Sequence, residues 1–175
     1  KNLELNNFKN INFINKAVSD KDDLEIYLNE SEKDWESSLS HKQFRLKSVN
    51  KVKTIKIDTL MKSYNLESYV LFIKLDIEGH EMNAIKGALK TIKDFSPIII
   101  IEFSKYIFDD TKNIEFLKNF LKNHDYQIYD TKKNSVSLDE ILKRIDKLTK
   151  RHKTIGNYYL MKNSSNNLKL FIQND

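Results

Sequence analysis

Asp76, Glu78, His80 and Glu81 can all accept or move a proton, and all fall in the single stretch DIEGHE. An imidazole has the intrinsic pKa of a base that works near neutrality. Carboxylates close to one another can hold protons, bind hard cations or hydrogen-bond hydroxyls. A further acid, Glu102, closes the apolar run Ile98 to Ile101. Two strands that each end in acid at their carboxyl ends would present those carboxylates along the sheet edge where open α/β folds bind ligands. Other chemistries are poorly served. His80 to Ala84 reads HEMNA and lacks the second histidine of the zinc motif His-Glu-x-x-His, and no serine or cysteine nucleophile signature is present.

The elements that must position these residues are legible around them. Val70 to Leu75, VLFIKL, is an apolar run broken only by Lys74, the pattern of a strand buried on both faces. Gly79 permits a turn, and the following residues carry Met82, Ile85, Leu89 and Ile92 at helical spacing. Pro97 then opens the second buried run. The unit reads as strand, acidic turn, helix and parallel strand. Upstream, Asn2 to Phe8 reads as the end of a helix, Asn10 to Val18 as a strand, and Leu24 to Leu28 as a half-exposed strand by its alternation. Residues 30–47 are polar and aperiodic and include Trp35, His41 and Phe44. Such a length is a functional loop or a mobile insertion. Val49 to Ile57 reads as a strand, and Asp58 stands where it would cap the short helix after it.

Beyond Glu102, Asp110 or Thr111 starts a helix carrying Ile114, Leu117, Phe120 and Leu121 and ending near Asn123. Tyr126 to Tyr129 reads as a strand. Ser137 and Glu140 form a capping box ahead of a helix whose apolar face is Leu138, Ile141, Leu142, Ile145 and Leu148. Tyr158 to Met161 and Leu168 to Ile172 are the last strand candidates. Alternating strands and amphipathic helices predict an α/β domain with a mostly parallel sheet.

The segment from Val52 to Phe103 resembles the FkbM-type methyltransferases, S-adenosylmethionine-dependent enzymes that methylate hydroxyl oxygens. The resemblance rests on Lys74, Leu75, Asp76, Ile77, Glu78, Gly79, His80 and Glu81, then Gly87 and Ala88, then Pro97 to Glu102. It extends more weakly to Asn15, Ala17, Val18 and Asp58 to Leu60. It implies a Rossmann-like class I methyltransferase fold with an antiparallel final strand, supplied by Tyr126 to Tyr129 and Tyr158 to Met161, and a cap over the substrate at 30–47. It also implies S-adenosylmethionine as cofactor, with Lys16, Ala17, Val18 and Asp76 on its adenine side and methyl side. Asp76 then becomes the leading candidate to orient or deprotonate the acceptor hydroxyl, which must be aligned and lose its proton as the bond forms. The plainer reading is that Asp76 only caps the next helix. Glu78 and Glu81 read more readily as helix-start acids than as catalysts, and the family pattern tolerates a small residue at His80. Asp76 and Glu102 could hold a divalent cation, although two carboxylates are too few to define a metal site.

One part of the family pattern is missing. The cofactor needs a glycine-rich turn after the first strand, and the only glycines are Gly79, Gly87 and Gly156. The family alignment puts the first two strands upstream of Lys1, so the whole of 1–175 is expected to be one partial methyltransferase domain. The strand at Val70 to Leu75 would then pair with Ile98 to Glu102 on one side and with nothing, or a displaced neighbour, on the other. Such an edge invites a homo-oligomer. The leading expectation is an O-methyltransferase acting on a hydroxyl of a sugar, glycan or secondary metabolite; the alternative is a non-catalytic scaffold that keeps the fold without the cofactor.

Composition bounds these readings. At 175 residues and 39% hydrophobic content, one sizeable core can be buried. No apolar stretch approaches the roughly 20 residues of a bilayer span, and the amino terminus lacks a signal-like apolar region. The absence of cysteine excludes disulfides and fits a cytoplasmic protein. The net charge of +5 comes almost wholly from lysine, with arginine only at 45, 144 and 151. That scarcity argues against a nucleic-acid partner, because arginine is the usual planar reader of phosphate and guanine.

Overall fold

A computed structural model describes residues 5–6, 8–31, 37–38, 46–63, 72–149 and 153–164. In chain order its first elements are β1 (Ala17–Val18), β2 (Glu25–Ser31), β3 (Ser37–Ser38), β4 (Leu46–Ile55) and helix α1 (Ile57–Ser63). The strands form one small sheet in the order β1-β4-β2-β3, with β1 parallel to β4 and both other pairings antiparallel. The expected strand from Asn10 to Val18 is therefore reduced to its last two residues, and the chain from Ile11 to Asn15 is irregular. Two of its apolar side chains, Ile11 and Phe13, are exposed, so burial does not hold that stretch extended against a neighbour. Ile57 starts a helix and does not end the strand. The aperiodic stretch 30–47 is not all loop either. Its backbone carries the ends of β2 and β4 and the short β3, while Trp35, His41 and Phe44 lie outside the described residues. Most of the predicted helix at Asn2 to Phe8 and all of the strand at Leu168 to Ile172 also lie outside them.

The second sheet begins with β5 (Phe72–Leu75), followed by α2 (Glu81–Lys86), α3 (Leu89–Phe95), β6 (Ile98–Ser104), α4 (Lys105–Phe108) and α5 (Thr111–His124). The chain then forms β7 (Tyr126–Tyr129), β8 (Ser135–Val136), α6 (Leu138–Asp146) and β9 (Thr154–Lys162). The strand order is β5-β6-β9-β7-β8. Only β5 and β6 pair in parallel; β9 enters reversed between β6 and β7, and β8 forms an antiparallel pair with β7. The mostly parallel sheet expected from the sequence is thus a mixed one. Alternation of strands and helices does not reveal that the last strand inserts between two earlier ones, and that insertion makes the ladders antiparallel.

The β5 strand differs from its prediction in one respect. Ile73 and Leu75 are buried, but Phe72 and Lys74 are exposed, so β5 is covered on one face only. As anticipated, it pairs with β6 on one side, and among the described residues no strand pairs with its other edge. Central β6 is the strand covered on both faces: Ile99, Ile101 and Phe103 are fully buried on one, and Ile98 and Ser104 are buried on the other with Ile100 half-buried between them. They join Met82, Ile85, Ile92, Leu117, Ile141 and Leu160 in one core. The α5 helix is capped by Asp110, whose side chain accepts from the Lys112 amide, and α6 has the predicted capping box of Ser137 and Glu140.

Candidate active site

The parallel register sets Leu75 beside Ile101. Asp76 and Glu102 therefore emerge side by side, as the sequence predicts. The β6 strand does not stop at Glu102, however, but runs on to Ser104, with Glu102 paired to Asn157 of β9. Carboxylate oxygens of Asp76, Glu78 and Glu102 lie within 4.8 Å of one another. This oxygen-only set has the donor chemistry of magnesium or calcium. Asp76 is exposed and already engages Lys74 Nζ at 2.6 Å, which offsets part of the local negative charge.

The turn that carries these acids is strained by design of its backbone. Glu78 has φ of +52° and Gly79 of +98°, so the chain passes through the left-handed region twice in succession. A non-glycine residue there costs free energy and needs support from its surroundings. Glu81 provides that support. Its Oε1 accepts hydrogen bonds from the amides of Ile77 at 3.0 Å and Gly79 at 3.3 Å. Glu81 is 1% exposed, and its Oε2 has no partner. Burial raises its pKa, the amide hydrogen bonds pull against that, and the negative charge of Glu102 adds to the rise.

A cavity of about 290 Å³ opens beside this turn, lined by Asn15, Lys16, Ala17, Val18, Asp76 and Ile77 with Leu28 and Val52 of the first sheet. The candidate cofactor residues Lys16, Ala17, Val18 and Asp76 thus share one cavity. Glu102 stands next to Asp76, while Glu81 lies beneath the turn. His80 points elsewhere, toward Ser19, with its Nε2 at 3.0 Å from Ser19 Oγ and Asn83 Nδ2 at 3.3 Å from its Nδ1. Burial lowers the His80 pKa, Asp20 opposes the shift and Lys86 reinforces it.

Two further residues hold the site together. Gly87 lies so close to the chain after β1 that an added Cβ would stand 2.0 Å from Ser19 O. Its own carbonyl accepts from the Asp58 amide at 2.9 Å. Asp58 does not cap its own helix. It sits inside α1, and its carboxylate accepts from the amides of Lys90 and Thr91, capping α3 across space. The capping of α1 falls to Asp22, which accepts from the Lys56 amide at 2.8 Å and from Thr59 Oγ1; the Lys56 amide is the main cause of its lowered pKa. Because Asp58 caps at Ala88, the run predicted as a single helix from His80 to Asp94 is two helices broken at Gly87 and Ala88. The roles of Ser19 and Asp22 escape a sequence reading because their partners are distant in the chain and leave no local pattern.

A mixed α/β chain with an acid-bearing strand edge beside a cavity is the class these elements define. Compared with known families, residues 2–128 match the Methyltransferase FkbM domain. The chain belongs to that family. A search of curated proteins finds no match. Among solved structures, Methyltransferase FkbM from Methylobacillus flagellatus KT is similar at 25% identity and a TM-score of 0.36, over 63% of this chain. This chain spans 23% of that protein's length. No helix among the described residues is long and apolar enough to cross a membrane.

Proposed function

We propose that this chain contributes to an S-adenosylmethionine-dependent O-methyltransferase whose acceptor is a hydroxyl of a sugar, glycan or secondary metabolite. The observation that carries the reading is the cavity that brings Lys16, Ala17 and Val18 against Asp76 at the carboxyl end of β5. The strand directions support a Rossmann-like class I arrangement. Strands β5, β6 and β7 run the same way, with β9 reversed between the last two, and the cavity stands at the strand end where such folds take ligands.

The cavity residues fit a cofactor that is part aromatic and part charged. Ala17, Val18, Val52 and Ile77 offer apolar wall, and Lys16 and Asp76 offer charge of both signs. When bound, S-adenosylmethionine supplies an electrophilic methyl. Transfer of that methyl to the acceptor would require the hydroxyl to be aligned with it and to give up its proton. In this reading Asp76 accepts that proton or orients the hydroxyl, and the hydrogen bond from Lys74 Nζ to its Oδ2 orients the carboxylate. Glu81 fixes the turn that sets the position of Asp76.

The test is calorimetry with S-adenosylhomocysteine on this chain and on the full-length gene product, followed by methyl-transfer assays of Asp76→Asn. Binding by the full-length gene product and a loss of rate of about a hundredfold in the variant are expected, the usual size of a general-base contribution. No binding at millimolar ligand by either protein would favour a scaffold that keeps the fold without the chemistry.

A further inference from the structure

The cavity has two walls from distant parts of the chain, and one side-chain contact ties them together. Asn15 to Val18 form one wall; Asp76 and Ile77 form the other. Directly after the first wall comes Ser19, 4% exposed, whose amide donates to Ile55 O and so extends the β1 pairing. Three residues after the second comes His80, whose amide donates to Ile77 O across the turn. Ser19 Oγ and His80 Nε2 meet at 3.0 Å.

The direction of this bond follows from its neighbours. Asp20 Oδ1, 3.2 Å from Ser19 Oγ, can only accept, so the arrangement that satisfies both contacts of the hydroxyl has Ser19 donating to Asp20 and accepting from the imidazole. With Ser19 accepting, His80 carries its proton on Nε2 and Nδ1 is left as the ring's acceptor, with Asn83 Nδ2 at 3.3 Å from Nδ1 and 3.4 Å from Nε2. The result is one ordered chain from Asn83 through His80 and Ser19 to Asp20, complete with a neutral ring. Its polarity is opposite to that of a nucleophilic serine, whose hydroxyl donates to the histidine. The pair therefore has no place for a covalent intermediate, and what it does is fix geometry. Gly87, lacking a Cβ, lets Ser19 come close enough for the contact to form.

We propose that Ser19 and His80 are positioning residues, which lock the Lys16–Val18 wall of the cavity against the Asp76 turn through a hydrogen bond donated by His80 Nε2. The positioning of the wall is independent of what binds there; its effect on S-adenosylmethionine rests on the function proposed above. A buried serine hydroxyl that served packing alone would impose no tautomer on the ring and would not distinguish Ser19→Thr from Ser19→Ala.

Two measurements test the proposal. Nitrogen-15 NMR of the imidazole at alkaline pH is expected to show His80 as the Nε2–H tautomer in the wild type and in Ser19→Thr, and as a mixture in Ser19→Ala. Calorimetry with S-adenosylhomocysteine is expected to show an affinity about tenfold weaker in Ser19→Ala and in His80→Phe, the scale of one lost hydrogen bond, with recovery in Ser19→Thr. An unchanged tautomer in Ser19→Ala, with its melting temperature retained, would overturn the link itself. Equal affinity in all four proteins would overturn its role in the cavity. A wild type with the expected tautomer and no affinity for the ligand would remove the cofactor reading while leaving the lock intact.

Discussion

Glu81 is a carboxyl with one oxygen fully used and the other stranded. Its Oε1 braces the left-handed turn at Glu78 and Gly79, while Oε2 is buried without a partner. Burial is the largest influence on it and raises its folded pKa above the ordinary value of 4.5. The folded state therefore holds the proton more tightly than the unfolded chain, and the corresponding stability is present below pH 4.5 and lost as pH rises through the folded pKa. Glu81→Gln keeps an oxygen for the two amides and cannot ionise. It is expected to be near neutral in stability at acid pH and to become stabilising relative to the wild type as pH rises above 4.5, read from urea midpoints across the range. A constant difference at all pH values would show that Glu81 does not titrate differently in the fold. At this scale the sequence was informative wherever a motif was contiguous. The stretch from Asp76 to Glu81 could be singled out from its letters, but the division of labour within it could not, because burial separates Glu81 from Asp76 and burial depends on the helix packed above it.

Helix ends show the same contrast between local and distant signals. The cap at Asp110 and the box at Ser137 with Glu140 are legible because cap and capped amide lie within a few residues. Asp58 looked equally clear and was misassigned. The carboxylate caps α3, whose own N-terminal position is Ala88, a residue with no capping side chain. Thr91 Oγ1 adds a further hydrogen bond to the same carboxylate at 2.7 Å. Asp58→Ala is expected to destabilise the fold by about 1–2 kcal/mol, the usual loss for a cap, with Asp58→Asn recovering part of it. Lowering of the urea midpoint by Asp58→Ala without a change in slope would confirm the loss; an unchanged midpoint would show that water serves α3 as well as Asp58 does. Strand β5 illustrates the other limit. Its apolar run predicted two covered faces, but whether a side chain on a strand is covered depends on what lies above it, and the strand's own letters do not encode that.

Taken whole, the molecule is two sheets that share no strand ladder among the described residues, held together around Gly87. The first sheet delivers Ser19 O to the face of that glycine, α1 delivers the Asp58 amide to its carbonyl, and the same Asp58 caps the helix that follows. The sequence marked Gly87 and Ala88 only as part of a family pattern; the close approach that explains the glycine is a contact between chain segments far apart in sequence. Gly87→Ala would place a methyl 2.0 Å from a backbone oxygen, and no rotamer can relieve a Cβ clash. The segment after β1 must retreat, stretching the Ser19 contact with His80 and opening the cavity between its two walls. A loss of about 1–3 kcal/mol is expected, the range for overpacked interiors. Hydrogen exchange distinguishes this from general weakening. Amides of β1 and β4 should lose protection in Gly87→Ala far more than those of β6 and β9, because the second sheet keeps its own core when the first is pushed away. Equal loss in both sheets would mean that they unfold as one unit and that Gly87 is simply part of a common core.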